Sequence, residues 1–319
     1  TCFSDMYFFP DVVAETVVET GFRAQIAFPI LDHPSAWAAD PDGYLLKGMA
    51  VRDAHRHQPL VSFCLAPHAP YSCADKTLEK VQTYAAQLDL PIHMHVHETE
   101  DELRQSLSQY QVRPLQRLHG LGLLGPQFIG VHGVHLNDAE ITLLAEQGCS
   151  LAHCPSSNLK LGSGITPLAR LSEAGINVAL GSDGAASNNR LDVWEEMRLA
   201  ALLAKGATGR PETVPAAQAL AMATLQGARA LGLEADIGSL KPGKHADIVA
   251  VDLSGAAMQP VYDPVSQVVY SAGRDLVRHV WVAGERVVKD GHAVFLDEAP
   301  VVRHARQWRD RIASGQAPD

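Results

Sequence analysis

No apolar run in this sequence approaches the roughly 20 residues needed to span a bilayer. The opening residues, Thr1 to Pro10, lack the basic start and apolar centre of a signal peptide. No block of lysine or arginine occurs. Lys+Arg total 26 against 36 Asp+Glu, a formal net charge of −10, which argues against general nucleic-acid or anionic-membrane binding. The cysteines are few and scattered: Cys2, Cys64, Cys73, Cys149 and Cys154 form no C-x-x-C pair. Such an odd set reads as reduced packing thiols of a cytoplasmic protein, not as a disulfide frame. Low-complexity segments and short-period repeats are missing too. With 46% hydrophobic and 19% charged residues, intrinsic disorder is excluded over most of the length and a large core is available. The residue in excess is histidine, at 15 of 319, and so many imidazoles point to chemistry near neutral pH.

Short apolar or β-branched runs alternate with longer helical stretches. Strands are expected over residues 1–5, 23–30, 61–69, 91–97, 128–135, 150–155 and 177–183. Helices are expected over 11–20, 43–57, 74–88, 99–109, 138–147 and 166–174, then over 191–205 and 215–231. Such alternation argues for βαβ units and a parallel sheet. The nearly continuous apolar character of the strands suits burial on both faces. A (β/α)8 TIM-type barrel needs eight such units, and the sequence supplies seven, opening inside a strand. The expectation is therefore an α/β barrel whose first strand precedes Thr1. A seven-stranded open, doubly wound sheet is the alternative. Composition shifts after Leu233, with a turn at Lys241-Pro242-Gly243 and strands expected over 247–251, 265–270, 277–282 and 285–289, the last two joined by a hairpin at Ala283-Gly284. A helix is expected over 301–313 and a frayed tail over 314–319. The organisation expected is a barrel over 1–233, a β-sandwich portion over 234–299 and a C-terminal helix and tail over 300–319.

Active-site groups of a barrel sit where its strands end. Here those ends read Pro67-His68-Ala69-Pro70-Tyr71, His93-Met94-His95-Val96-His97-Glu98-Thr99, Val131-His132-Gly133-Val134-His135, His153-Cys154-Pro155-Ser156-Ser157-Asn158 and Gly181-Ser182-Asp183-Gly184. Four successive ends carry His and the fifth carries Asp, the ligand set of a borderline-soft divalent metal such as zinc. His93, His95 and His97 share one face of an ideal strand. Glu98 has the wrong parity to join them, and enters the site only if the strand ends near His97 and the loop turns inward.

The blocks P-H-A-P-Y, H-x-H-E-T, V-H-G-V-H-L, H-C-P-S-S-N-L-K-L-G-S-G, S-D-G-A-A-S-N-N and G-S-L-K-P-G-K-H-A-D-I-V together resemble the amidohydrolase superfamily, most of all the 5-methylthioadenosine/S-adenosylhomocysteine deaminases. The resemblance implies that His95 ligates one zinc ion per subunit and that Asp183 both ligates it and takes the water's proton. Glu98 would be the proton-shuttling acid, His132 would touch the activated water, and His68 would contact the purine nucleoside. Glu98 and Asp183 would also face the substrate. Asn158 and Ser187 are further pocket candidates without an assigned role. The implied reaction is attack of zinc-activated water on C6, with loss of ammonia. Homo-oligomerisation is implied by the resemblance alone.

One departure stands out. The family carries two further ligands in an H-x-H motif on the first barrel strand, followed by an acid for the ribose hydroxyls. H-x-H occurs here only at His55/His57, His93/His95 and His95/His97. This agrees with the strand count, and both place the motif upstream of Thr1. His68 stands where binuclear relatives carry a carbamylated lysine, which argues for a single metal. Rival readings are a guanine deaminase, a triazine chlorohydrolase-like enzyme, or a metal-free scaffold with the same fold. His119, His245, His279, His292 and His304 read as surface or structural residues. His55 and His57 read as solvated, and Asp192, Glu195 and Glu196 as decoration of a helix face. His135 and His153 are read as pocket lining or as support for it, His33 and Trp37 as rim. Arg23, Arg52 and Arg56 are the candidate cations for a substrate carboxylate.

Overall fold

A computed structural model describes residues 1–315. Seven strands, β1 (Cys2–Met6), β2 (Arg23–Ile30), β3 (Val61–Pro67), β4 (Ile92–Val96), β5 (Phe128–His132), β6 (Ser150–His153) and β7 (Asn177–Leu180), form one parallel sheet in the order β1 to β7. A doubly wound sheet reverses strand order at a switch point, and this one never does. It is a curled, singly wound barrel wall with helices outside it.

The alternation of side chains sorts the two faces of that wall. Ile26, Phe28, Ile30, Leu65, Ile92, Met94, Val96 and Leu151 join the main core, under the helices. Ala27, Cys64 and Ala66 form a separate cluster on the opposite, inner face. His93 and His95 alternate with Met94 and so fall on that inner face, where Ser4 Oγ meets His93 Nδ1 at 3.3 Å.

The helices begin where capping chemistry starts them. Asp40 accepts from Gly43 N at 2.7 Å and Pro41 follows, opening helix Pro41–His55. Gly48 of this helix lies against the buried Phe28 ring: a Cβ there would come within 2.3 Å of it. Gly48→Ala should therefore destabilise the fold by about 1–3 kcal/mol through overpacking, outweighing a gain of about 1 kcal/mol in helix propensity. Urea unfolding measures the balance, and an unchanged midpoint would show that the ring has room to move.

Two expectations needed correction. Residues 265–270 form no strand but all except the first residue of helix Pro264–Tyr270. Asp263 accepts from Val265 N at 3.3 Å and Ser266 N at 3.0 Å, Pro264 sits in the first turn, and Val269 is fully buried. The cap and the core outweigh the β-branched composition. The single helix expected over 215–231 is two, Ala216–Met222 and Leu225–Ala230, broken at Thr224, whose φ of −133° is not helical.

Four antiparallel strands make the appendage, β8 (Ile248–Val251), β9 (Val277–Val282), β10 (Glu285–Lys289) and β11 (His292–Ala293), in the order β11-β10-β9-β8. A buried ion pair fastens it to the barrel: Arg23 Nη2 to Asp247 Oδ1 is 3.0 Å, and the same oxygen accepts from Ala283 N at 2.8 Å. The C-terminal helix Glu298–Ala313 is capped by Asp297 and has no buried residue. Of the tail expected to fray, residues 316–319 lie outside the described residues. No described helix is long and apolar enough to cross a membrane.

Candidate active site

His68, His95 and His132 stand on neighbouring strands and meet at one mouth. The His68 and His95 rings are 5.0 Å apart, and the His95 and His132 rings stack at 5.5 Å. Each ring is held by one nitrogen. His95 Nδ1–H donates to the His68 carbonyl at 2.7 Å, leaving Nε2 free. His132 Nδ1–H donates to Asn158 Oδ1 at 2.8 Å, and the other end of that amide donates to Thr166 Oγ1 at 3.2 Å. Thr166 returns its hydroxyl to the His132 carbonyl at 2.9 Å, closing a ring that fixes the imidazole. His68 is held through Nδ1 by Ser72 Oγ at 3.1 Å. Burial and neighbouring imidazoles push His68 down to about 4 and lower His95; burial lowers His132 against the pull of Asn158 and Asp183. All three are therefore neutral at pH 7. A neutral ring with one nitrogen tied to a carbonyl or amide oxygen is how proteins prepare a metal ligand or a hydrogen-bond acceptor.

Asp183 carries three short bonds. Its Oδ2 accepts from Ser157 and Ser187 hydroxyls, each at 2.6 Å, and Oδ1 accepts from Gly184 N at 2.6 Å. Burial alone would raise this carboxyl, but the three donors and His132 outweigh it and hold Asp183 below the usual range. Glu98 is the opposite case. Burial raises it, helped by the Asp183 charge, against His95 and the Ser163 hydroxyl. Its Oε2 stands 3.7 Å from His132 Nε2. The parity problem is solved by the backbone: β4 ends at Val96 and His97 turns left-handed at φ 54°.

His132 and Asp183 are left-handed as well, at φ 74° and 61°. Such a backbone costs a non-glycine residue about 1–3 kcal/mol and persists only where its surroundings over-determine it.

Several supporting residues escaped the sequence reading. Ser157 stands in the sequence only as part of a strand-end motif and Thr166 only as the start of an expected helix, neither with a role in the site. Glu102 and Glu140 are buried carboxylates at 4% and 1% exposure, each near the start of a helix that follows a barrel strand. Glu196, read as surface decoration, is fully buried; it accepts from Ser156 N at 3.0 Å and Asn188 Nδ2 at 2.7 Å, joining the loops after β6 and β7. The cue for Glu102 was Thr99-x-x-Glu102, a capping-box spacing.

Other candidates go elsewhere. Arg23 pairs with Asp247, Arg52 with Asp53, and Arg56 donates to His57. Trp37 is a core residue packed 5.8 Å from the Tyr44 ring, not rim, while His33 is exposed. His135 Nε2 donates to the Ser163 carbonyl at 2.9 Å. His153 is buried, and burial with nearby His132 pushes it to about 3. Cys64, Cys73, Cys149 and Cys154 are buried, and Cys2 partly so.

The donor chemistry suits zinc: a neutral imidazole with a free Nε2, His95, and an ionised carboxylate, Asp183. The number of donors is smaller than a full shell. Among the described residues, no group of three or more His, Cys, Asp or Glu is placed to hold an ion.

Comparison with known proteins agrees with this geometry. The Amidohydrolase family profile matches residues 1–287. A 5-methylthioadenosine/S-adenosylhomocysteine deaminase of Teredinibacter turnerae is 46% identical over 314 residues, covering 98% of this chain and 71% of the relative. A 5′-deoxyadenosine deaminase of Methanopyrus kandleri is 39% identical over 315 residues, covering 98% and 72%. Among solved structures, an adenosine deaminase from Xanthomonas campestris with bound zinc superposes with a TM-score of 0.97 at 47% identity, covering 98% of this chain and 72% of the other. An atrazine chlorohydrolase from Arthrobacter aurescens complexed with zinc gives 0.90 at 26% identity, covering 96% and 72%. The seven-stranded wall, the histidine-lined mouth and these matches lead to one assignment: the chain belongs to the amidohydrolase family, closely related to its 5-methylthioadenosine/S-adenosylhomocysteine deaminases.

Proposed function

We propose that this protein is a metal-dependent aminohydrolase that removes the C6 amine of an adenine nucleoside, 5′-methylthioadenosine or S-adenosylhomocysteine, as ammonia. The observation that carries this reading is the divergence of two carboxylates at one mouth, Asp183 held ionised and Glu98 pushed toward its protonated form. Carboxylates driven apart in this way divide into base and acid.

His95 and Asp183 are the donors this chain would offer a zinc ion. The chemistry supplied by such an ion is a water whose pKa falls from about 15.7 to about 7. Asp183 takes the water's proton. His132 accepts a hydrogen bond at its bare Nε2 and so orients the attacking oxygen. Glu98 gives a proton to the purine N1, which makes C6 electrophilic. After attack, the new C6 hydroxyl gives its proton back to Glu98 as the carbonyl forms, and the amine leaves as ammonia with a proton from Asp183 or from the recharged Glu98. His68, with its ring beside His95, contacts the nucleoside. The same reading carries a homo-oligomeric, cytoplasmic enzyme for a small nucleoside, with neither nucleic acid nor membrane as partner.

The native protein, supplied with zinc, should release ammonia from methylthioadenosine, S-adenosylhomocysteine or adenosine, followed by the ultraviolet change of adenine to hypoxanthine. Guanine or chlorotriazine turnover without any adenine-nucleoside turnover would replace this reading with one of its rivals. A protein that binds no zinc and turns over nothing would be a scaffold.

A further inference from the structure

We propose that Glu102 is the positioning residue that aims Glu98 into the site; this rests on the reading of Glu98 as the proton donor. On an unbroken strand, residues 95 and 98 face opposite sides. The strand is broken at His97, and something must hold the break. Glu102 Oε1 accepts from His97 N at 2.9 Å and Oε2 accepts from Glu98 N at 2.9 Å. One buried carboxylate thus grips two consecutive amides at the turn.

Helix capping alone does not account for this. Thr99 Oγ1 accepts the Glu102 amide at 3.2 Å, as the cap of helix Glu100–Tyr110 should. In a capping box the glutamate then reaches back to the amide of the cap residue itself. Glu140 does so in this same molecule, accepting from Asn137 N at 3.0 Å. Glu102 reaches past Thr99 to the amides of residues 97 and 98 instead.

The His97 side chain is fixed by a different set of groups. Its ring is fully buried, Nε2 accepts from Leu115 N at 3.2 Å and lies 3.3 Å from Glu140, and Nδ1 faces the His135 carbonyl at 3.4 Å. With ring and amide both held, residue 98 leaves the turn inward, toward His132.

Glu102→Ala should lower kcat about 100-fold, the usual cost of moving a reacting group by about 1 Å. KM should change less than about threefold, because His68 and Asp183, which also face the nucleoside, are not held by Glu102. In a Glu98→Gln background, the same substitution should change kcat less than about twofold, since a residue acting only through Glu98 is silent once Glu98 cannot donate. Glu102→Gln keeps the shape and one acceptor, and should fall between wild type and alanine; it serves if the alanine variant does not fold. A crystal structure of either variant should show the Glu98 carboxylate displaced from its 3.7 Å approach to His132. Equal losses in both backgrounds, KM rising in step with the fall in kcat, or Glu98 unmoved in the crystal would each overturn the proposal. Wild-type protein inactive on every adenine nucleoside would sink the proposed reaction instead, and the crystal structure would still decide the placement.

Discussion

Asp183→Ala is expected to lower kcat/KM about 10⁴-fold, the upper end of what a positioned acid–base group supplies. That corresponds to about 5.5 kcal/mol of lost transition-state stabilisation. The size follows from two losses at one atom group. The carboxylate is the proton acceptor of the proposed reaction and one of its metal donors. It is also the hub of three short bonds, so its removal strands the hydroxyl of Ser157 and leaves that of Ser187 only the Gly184 carbonyl at 3.2 Å. Asp183→Asn separates the two parts: it keeps the size and one oxygen but cannot take a proton. Steady-state kinetics and metal content, measured together, read the result. An alanine variant retaining a tenth of wild-type kcat/KM would remove Asp183 from the mechanism.

Glu98→Gln is expected to lower kcat about 10³-fold, within the same range for acid–base assistance, with KM changed only a few-fold. The amide fills the place of the carboxyl but has no acid proton to give. The loss should depend on the leaving group. Ammonia needs a proton to depart and chloride does not, so 6-chloropurine riboside should suffer a smaller deficit than methylthioadenosine. Parallel hydrolysis of the two substrates by wild type and variant measures the difference. Equal deficits on both would show that Glu98 serves N1 alone and passes no proton to the departing group.

Much of the fold was legible because its strands are short, apolar and regularly spaced. Strand β2 fell on the expected residues, 23–30, with every position buried. The lapse at 265–270 shows the limit: a Val-Val pair favours a strand, but Asp263 and Pro264 set a helix start that the buried Val269 then rewards. At the site, histidines at strand ends were readable as a pattern, and so was the parity conflict at Glu98. Its resolution was not, because a left-handed His97 depends on a carboxylate five residues on. Glu196 was misread for a similar reason. A helix-face glutamate looks solvated until loops from two other strands close over it and supply Ser156 N and Asn188 as donors.

The three left-handed residues at the ends of β4, β5 and β7 carry a consequence for the protein's history and its engineering. Glycine would occupy any of those positions without conformational penalty. It would also strip out the buried His97 ring, the Asn158-bound His132 ring and the Asp183 acceptor. The strain is thus held in place by the very side chains it aims, and heat resistance offers selection no cheap route around the residues of the mouth.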